Sequence, residues 1–168
     1  MLTNKTIKAL NGQINAEVYS AYLYYSMSAY FESVSLPGFA NWMRVQAQEE
    51  MFHVTKFVDY VNERGGRVIL EAVDKPPSDW GTALEVLQAV LQHEQKVTGL
   101  INDLLDLVNK EHDHASAIFL QWFVLEQVEE EASVGAVLGK LKLVNNDSSG
   151  MFALDQEMGQ RIFTPPVQ

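Results

Sequence analysis

The stretch RVILEAVDKPPSD, residues 67 to 79, decides how the rest of the chain is arranged. Helical patterns lie on both sides of it, but its own prolines and scattered acids mark an extended connection. The helical pattern before it, residues 37–65, would be about 43 Å long at ~1.5 Å per residue. Thirteen extended residues at ~3.3 Å each also reach about 43 Å. The connection is just long enough to run back along the helix it leaves, so the helices before and after it are expected to be parallel.

Outward from this crossover lie four periodic stretches, 5–33, 37–65, 80–109 and 114–142, rich in Ala, Leu, Glu, Gln and Met. The breaks fall at LPG (36–38), RGG (64–66), KPPSDWG (75–81) and NNDSSG (145–150). Helices one and two, and three and four, are joined by a few residues each, so each pair is expected to be antiparallel. A shorter fifth helix is expected over 147–161, followed by a proline-bearing tail. The fold class is all-α, a four-helix bundle with one long crossover between helices two and three and a short fifth C-terminal helix. One domain spans 1–168, without sequence repeats or low-complexity tracts.

Bulk composition narrows the function classes. The 168 residues are 47% hydrophobic and 20% charged, enough to bury one real core. A net charge of −10 argues against nucleic acid as a direct ligand, because phosphate binding needs clustered Lys and Arg. With no cysteine, disulfide scaffolds, thiolate zinc sites and cysteine nucleophiles are excluded. The opening MLTNKTIKAL lacks the apolar region of a signal peptide, and even AIFLQWFVL (117–125) is interrupted by Gln121, so no membrane span is expected. A cytoplasmic protein is the expectation.

Each helix, read at alternating three- and four-residue steps, presents an apolar stripe with an acid near its middle. The second runs Phe39, Met43, Gln46, Glu50, His53, Phe57, Tyr60. Glu17 interrupts the first stripe, Glu94 the third, and Gln127 with Glu130 the fourth. All lie within about a turn of their helix midpoints, so the bundle brings them to one height, facing one another. A buried, unpaired carboxylate costs several kcal/mol and like charges repel, yet no Lys or Arg sits on the seams at that level. Two divalent cations would balance four glutamates, and His53, one turn from Glu50, adds a neutral nitrogen ligand. An oxygen-rich site with one imidazole and no sulfur suits iron or manganese, and zinc could also occupy it. Carboxylates favour ferric over ferrous iron, so such a site would assist oxidation of Fe2+ by O2 or peroxide.

The segments QINAEVYSAYLY (13–24), NWMRVQAQEEMFH (41–53), HEQKV (93–97) and FLQWFVLEQVEEE (119–131) together resemble the ferritin family, more narrowly the prokaryotic non-haem ferritins. The resemblance covers essentially the whole chain. It implies a homo-oligomeric cage, usually of 24 subunits, that oxidises Fe2+ with O2 or H2O2 and stores ferric oxyhydroxide mineral. It implies that Glu17, Glu50 and His53 hold one iron, and that Glu50 bridges to a second iron bound by Glu94 and Glu130 with Gln127 alongside. Glu49, Glu126 and Glu129 would form a third site with Glu130. Tyr24 would be a redox-active tyrosine, and the fifth helix would pack near a fourfold axis. The general di-iron bundle pattern asks for a second Glu-x-x-His on the fourth helix. This chain reads Gln127-Val128-Glu129-Glu130 there, which fits non-haem ferritins and counts against haem-binding bacterioferritins.

Plainer readings exist for several of these residues. Glu49, Glu126 and Glu129 suit a solvated flank, and Tyr24 suits a core aromatic with a satisfied hydroxyl. Met51 beside the motif invites an axial haem role, but a helical methionine is ordinarily packing, and no haem is expected. His93 points to a different face from Glu94 and is expected to be exposed. His112 and His114 are expected to be solvated, and Trp42 and Trp122 to pack in or near the core. A rubrerythrin-like di-iron peroxidase is the alternative enzyme, although such proteins normally carry a paired-cysteine domain that this chain lacks. A helical bundle with accidental acids is the non-enzymatic alternative.

Overall fold

The computed structural model describes residues 2–145 and 147–165. Asn146 of the NNDSSG break and the last three residues of the proline-bearing tail lie outside them. Five helices follow one another: α1 (Asn4–Ser33), α2 (Pro37–Glu63), α3 (Ala83–Lys110), α4 (His114–Val144) and α5 (Ser148–Met158). None of the described helices is long and apolar enough to cross a membrane.

Helix ends follow local capping chemistry rather than periodicity. α3 starts at Ala83, later than the expected 80, because Thr82 and Glu85 form a capping box. The Thr82 hydroxyl accepts from the Glu85 amide (3.3 Å), and the Thr82 amide donates to Glu85 Oε2 (2.6 Å). α2 stops at Glu63 instead of 65, because Gly65 at φ 73° turns the chain while Gly66 N donates to Val61 O (2.8 Å). At the α3–α4 corner, His112 takes the left-handed position (φ 56°) and Asp113 caps α4 through Ser116 N. α5 ends at Met158, short of the expected 161; Gly159 and Gln160 form a turn and the chain then leaves the helix axis.

α1 packs on α2 and α3 on α4, α1 also meets α3, and α5 lies against α2 and α4. The crossover is tied to α1 along its length. Asn11 donates to Arg67 O and accepts from Ile69 N near one end. Ser26 donates to Pro77 O, and Tyr30 to Gly81 O (2.7 Å), toward the other. The chain therefore returns to the end where α2 began before α3 starts, and α2 and α3 run parallel, as the length of residues 67–79 requires. This is the four-helix bundle with one crossover.

The core is split in two. One cluster holds Met27, Phe31, Phe39, Met43, Leu87, Val134 and their neighbours; the other holds Leu10, Ile14, Phe57, Ile101, Leu120 and Phe123 among others. Between the two clusters every long helix buries polar residues: Glu17, Glu50 with His53, Glu94, and Gln127 with Glu130. The apolar halves position that layer, because each helix must bury a stripe above and below it.

Candidate metal centre

Glu17, Glu50, His53, Glu94, Gln127 and Glu130 are each at most 4% exposed. Glu17, Glu50 and His53 form the tightest group, with one ligand atom from each within 4.8 Å of the others. His53 Nδ1 lies 3.3 Å from Glu50 Oε2 and 3.8 Å from Glu17 Oε2. Gln13 Nε2 donates to Glu17 Oε1 (2.7 Å), while Glu17 Oε2 is buried without a hydrogen-bond partner. A buried carboxylate oxygen with a free lone pair beside a second carboxylate and an imidazole is a donor set that fits a hard or borderline cation.

Glu94 and Glu130 fall outside that compact trio but share the polar layer. Glu94 accepts from the Tyr24 hydroxyl and from Gln127 Nε2 (3.2 Å). Gln46 Nε2 donates to Glu130 Oε2 (2.8 Å), and the Gln46 Oε1 atom is buried without a partner. Around four carboxylates, the neutral amides of Gln13, Gln46 and Gln127, the Tyr24 hydroxyl and one imidazole are the hydrogen-bonding partners.

The protonation equilibria report the cost of this packing. Burial, followed by the charges of Glu94 and Glu17, pushes Glu50 well above the ordinary carboxylate range. Burial and then Glu130 lift Glu94 to about 8. Burial also opposes ionisation of Glu17, yet its contacts with His53 hold it below its ordinary value. Burial alone would discharge His53; its close contacts with the Glu17 and Glu50 carboxylates outweigh this and raise its pKa well above that of a free imidazole. Burial and the Glu94 charge push the Tyr24 phenol upward. The metal-free layer thus keeps protons on groups that would have to release them to bind a cation.

Three further acids predicted for a site lie at the edge of this layer. Glu49, Glu126 and Glu129 line a recess of about 380 Å³ together with Phe52, His53, Trp122 and Thr164. His53 therefore faces both the trio and the recess. Glu129 is exposed, Glu126 is half-buried and raised by burial, and Glu49 is lifted to about 7 by burial despite the nearby Arg161. Arg161 Nη2 donates to Glu49 Oε2 at 2.6 Å.

Some residues sit differently from their reading in the sequence. His93 is not exposed: it is half-buried, its Nε2 lies 2.8 Å from Ser20 Oγ, and its ring meets Tyr24 edge-on at 5.9 Å. Burial, reinforced by Lys96, depresses it to about 4, so it is neutral near pH 7. The α1–α3 contact covers a face that α3 alone would leave open. Trp42 is buried, Trp122 lies 5.5 Å from the His53 ring, and Met51, His112 and His114 are exposed. Gln13, Gln46 and Arg161 were missed as neighbours of the acids. Gln13 stands four residues before Glu17 on the same face, and Gln46 four before Glu50, so helical spacing carried a signal for both. Arg161 had none, since its place depends on where α5 docks.

Comparison with known proteins identifies relatives over nearly the whole chain. The family model for the ferritin-like domain matches residues 7–144. A bacterial non-heme ferritin of Bacteroides fragilis (strain 638R) is 44% identical over 161 residues, spanning 96% of this chain and 100% of the relative. One from Staphylococcus saprophyticus is 39% identical over 163 residues, spanning 97% and 98%. Among solved structures, an Archaeoglobus fulgidus ferritin engineered into a closed form superposes with a TM-score of 0.96 at 51% identity, over 98% of this chain and 100% of that one. The open-pore ferritin of the same archaeon gives 0.95 at 50% identity, over 96% and 100%. With its fold, its layer of buried acids and these relatives in agreement, this chain belongs to the ferritin family.

Proposed function

We propose that the protein is an iron-storage ferritin whose buried layer oxidises Fe2+ and whose assembled cage holds the ferric product as mineral. The observation that carries this reading is the trio Glu17, Glu50 and His53, converging within 4.8 Å between two apolar clusters. Glu17 and His53 bind the first Fe2+, Glu50 bridges, and Glu94 with Glu130 bind the second, Gln127 lying beside them. Each ion gives up one electron, so a pair reduces O2 to peroxide or H2O2 to water. Carboxylate ligands stabilise the ferric products more than the ferrous substrates, and that difference drives the step. Tyr24, whose hydroxyl is hydrogen-bonded to Glu94, would be the redox-active tyrosine beside the centre. Glu49, Glu126 and Glu129, which line the recess, would form a third position with Glu130 that leads outward. Glutamate in place of a second histidine on α4 leaves the second iron held only by oxygen, which suits an ion that must leave again. The cage is expected to contain 24 subunits and no haem.

The test adds Fe2+ anaerobically to the purified apo-protein, admits air, and follows ferric absorbance and particle size together. Rapid oxidation at low iron loading, followed by soluble mineral in a large hollow particle, is the expected result. Oxidation no faster than in a Glu50→Ala, His53→Ala control would sink the centre. A monomer or dimer would retire the storage role even with a working centre.

A further inference from the structure

After α5 the chain folds back along α2. Asn41 Nδ2 donates to the carbonyls of Gly159 (3.3 Å) and Arg161 (2.9 Å), fixing the backbone there. The Arg161 guanidinium lies over the Trp42 ring, 4.5 Å from its centroid, and donates to Glu49 from Nη2. Its other terminal nitrogen, Nη1, is buried with no hydrogen-bond partner. Beyond it, Phe163 meets Phe52 at 6.4 Å and Thr164 lines the recess of Glu49, Glu126 and Glu129. The segment 159–164 is therefore a strap lying over the recess beside the metal centre, tied down at its backbone, its cation and its aromatic ring.

We propose that Arg161 is a built-in competitor for the cation at Glu49, so that the C-terminal strap sets how strongly the recess holds a metal ion. This rests on the reading of Glu49, Glu126 and Glu129 as a cation site. One carboxylate oxygen cannot serve a guanidinium and a metal ion at full strength together, since both seek the same lone pairs. Arginine suits the competitor's role because it stays charged and its guanidinium packs over an indole ring, as it does 4.5 Å from the Trp42 centroid. Its orphaned Nη1 means the guanidinium is only partly satisfied where it sits, so displacement loses one good hydrogen bond and a stacking contact. A divalent ion arriving at Glu49 moves Arg161 aside, and the strap keeps it close enough to return when the ion leaves.

Isothermal titration of the assembled apo-protein with Zn2+, which cannot be oxidised, reads this directly. Wild type is expected to show strong binding at the buried layer and one weaker class at the recess. Arg161→Gln should tighten the weaker class about tenfold and leave the strong class alone; Glu49→Gln should abolish it. The Arg161→Gln, Glu49→Gln double variant should match Glu49→Gln, because the arginine acts through that carboxylate. Arg161→Lys, which keeps the charge without the planar stacking, should fall between wild type and Arg161→Gln. Asn41→Ala, which loosens the strap without changing charge, should tighten the weaker class by a smaller factor. An unchanged weaker class in Arg161→Gln, or equal behaviour of Arg161→Lys and Arg161→Gln, overturns the inference while the di-metal reading stands. Loss of the strong class from wild type, with binding no better than in a Glu50→Ala, His53→Ala control, overturns the di-metal reading itself.

Discussion

Glu50 is buried beside two other acids and one imidazole, and burial with the charges of Glu94 and Glu17 opposes its ionisation. Glu50→Gln keeps its shape and removes the ionisable group that burial and the neighbouring acids force to stay protonated. It should raise the thermal stability of the apo-protein by about 1–2 kcal/mol while abolishing the extra stability that zinc gives. Calorimetry with and without zinc checks both, and a less stable apo variant would show that the His53 contact outweighs the repulsion. pH acts in a defined direction. Glu94 is raised from 4.5 to about 8, so the folded state keeps a proton that the unfolded chain releases. That stability is fully present below about pH 4.5 and is lost as pH rises through about 8. His53, also raised, adds stability present below about 6.5 and lost above it. His93, lowered to about 4, acts oppositely and costs stability as pH falls from about 6.5 to 4. Urea midpoints of the apo-protein should therefore fall between about pH 6.5 and 8, and Glu94→Gln should flatten that limb. The trio and its opposing acids were legible because the 3.6-residue period fixes a face and the helix midpoint fixes a height. His93 was misread because the same period says nothing about which neighbour covers the second-best face.

At the scale of elements, α5 is the piece whose role was least visible. α2 begins after Leu36 with no side-chain cap of its own, which leaves its first amides short of an acceptor. Asp155, buried on α5, supplies it: Oδ1 accepts from Phe39 N at 3.0 Å. The two helices meet closely at Gly38, where an added Cβ would overlap the Asp155 carbonyl oxygen. Gly38→Ala is therefore expected to force α5 outward at a cost of about 2–3 kcal/mol, despite alanine's better helix propensity. Asp155→Ala should cost about 1–2 kcal/mol through the lost cap. Hydrogen exchange at the α2 N-terminus reports both, and full protection of the Phe39 amide in Asp155→Ala would refute the cap. The long helices and the crossover could be read from the sequence because each is specified by its own residues: periodicity for one, length for the other. A cap delivered from more than a hundred positions away has no local signature, and an N-terminal PG (37–38) reads equally well as a plain helix start. The same distance hid Arg161, whose contact with Glu49 exists only once α5 has docked.

At the scale of the molecule, several large apolar side chains stand exposed on the single subunit. Leu143, Ile118, Leu70, Phe152 and Ile162 are all more than two-thirds exposed, and Ile69 beside Leu70 is half exposed. In the proposed cage, neighbouring subunits are expected to cover residues of this kind. The crossover offers the cleanest test, because Leu70 is 72% exposed and its removal empties no core. Within one subunit, Leu70→Glu should change stability by no more than about 0.5 kcal/mol. Buried against a neighbour, the new carboxylate would cost several kcal/mol and shift the population toward smaller species. Sedimentation velocity of wild type and variant separates these outcomes. Salt adds a second axis, since each subunit carries −10 and assembly concentrates that charge. Raising ionic strength shortens the screening length from about 10 Å at 0.1 M to about 3 Å at 1 M. It should therefore strengthen wild-type assembly, yet restore little of what Leu70→Glu loses, because a buried charge is poorly screened. Equal sedimentation of variant and wild type at every salt concentration would place Leu70 outside any interface.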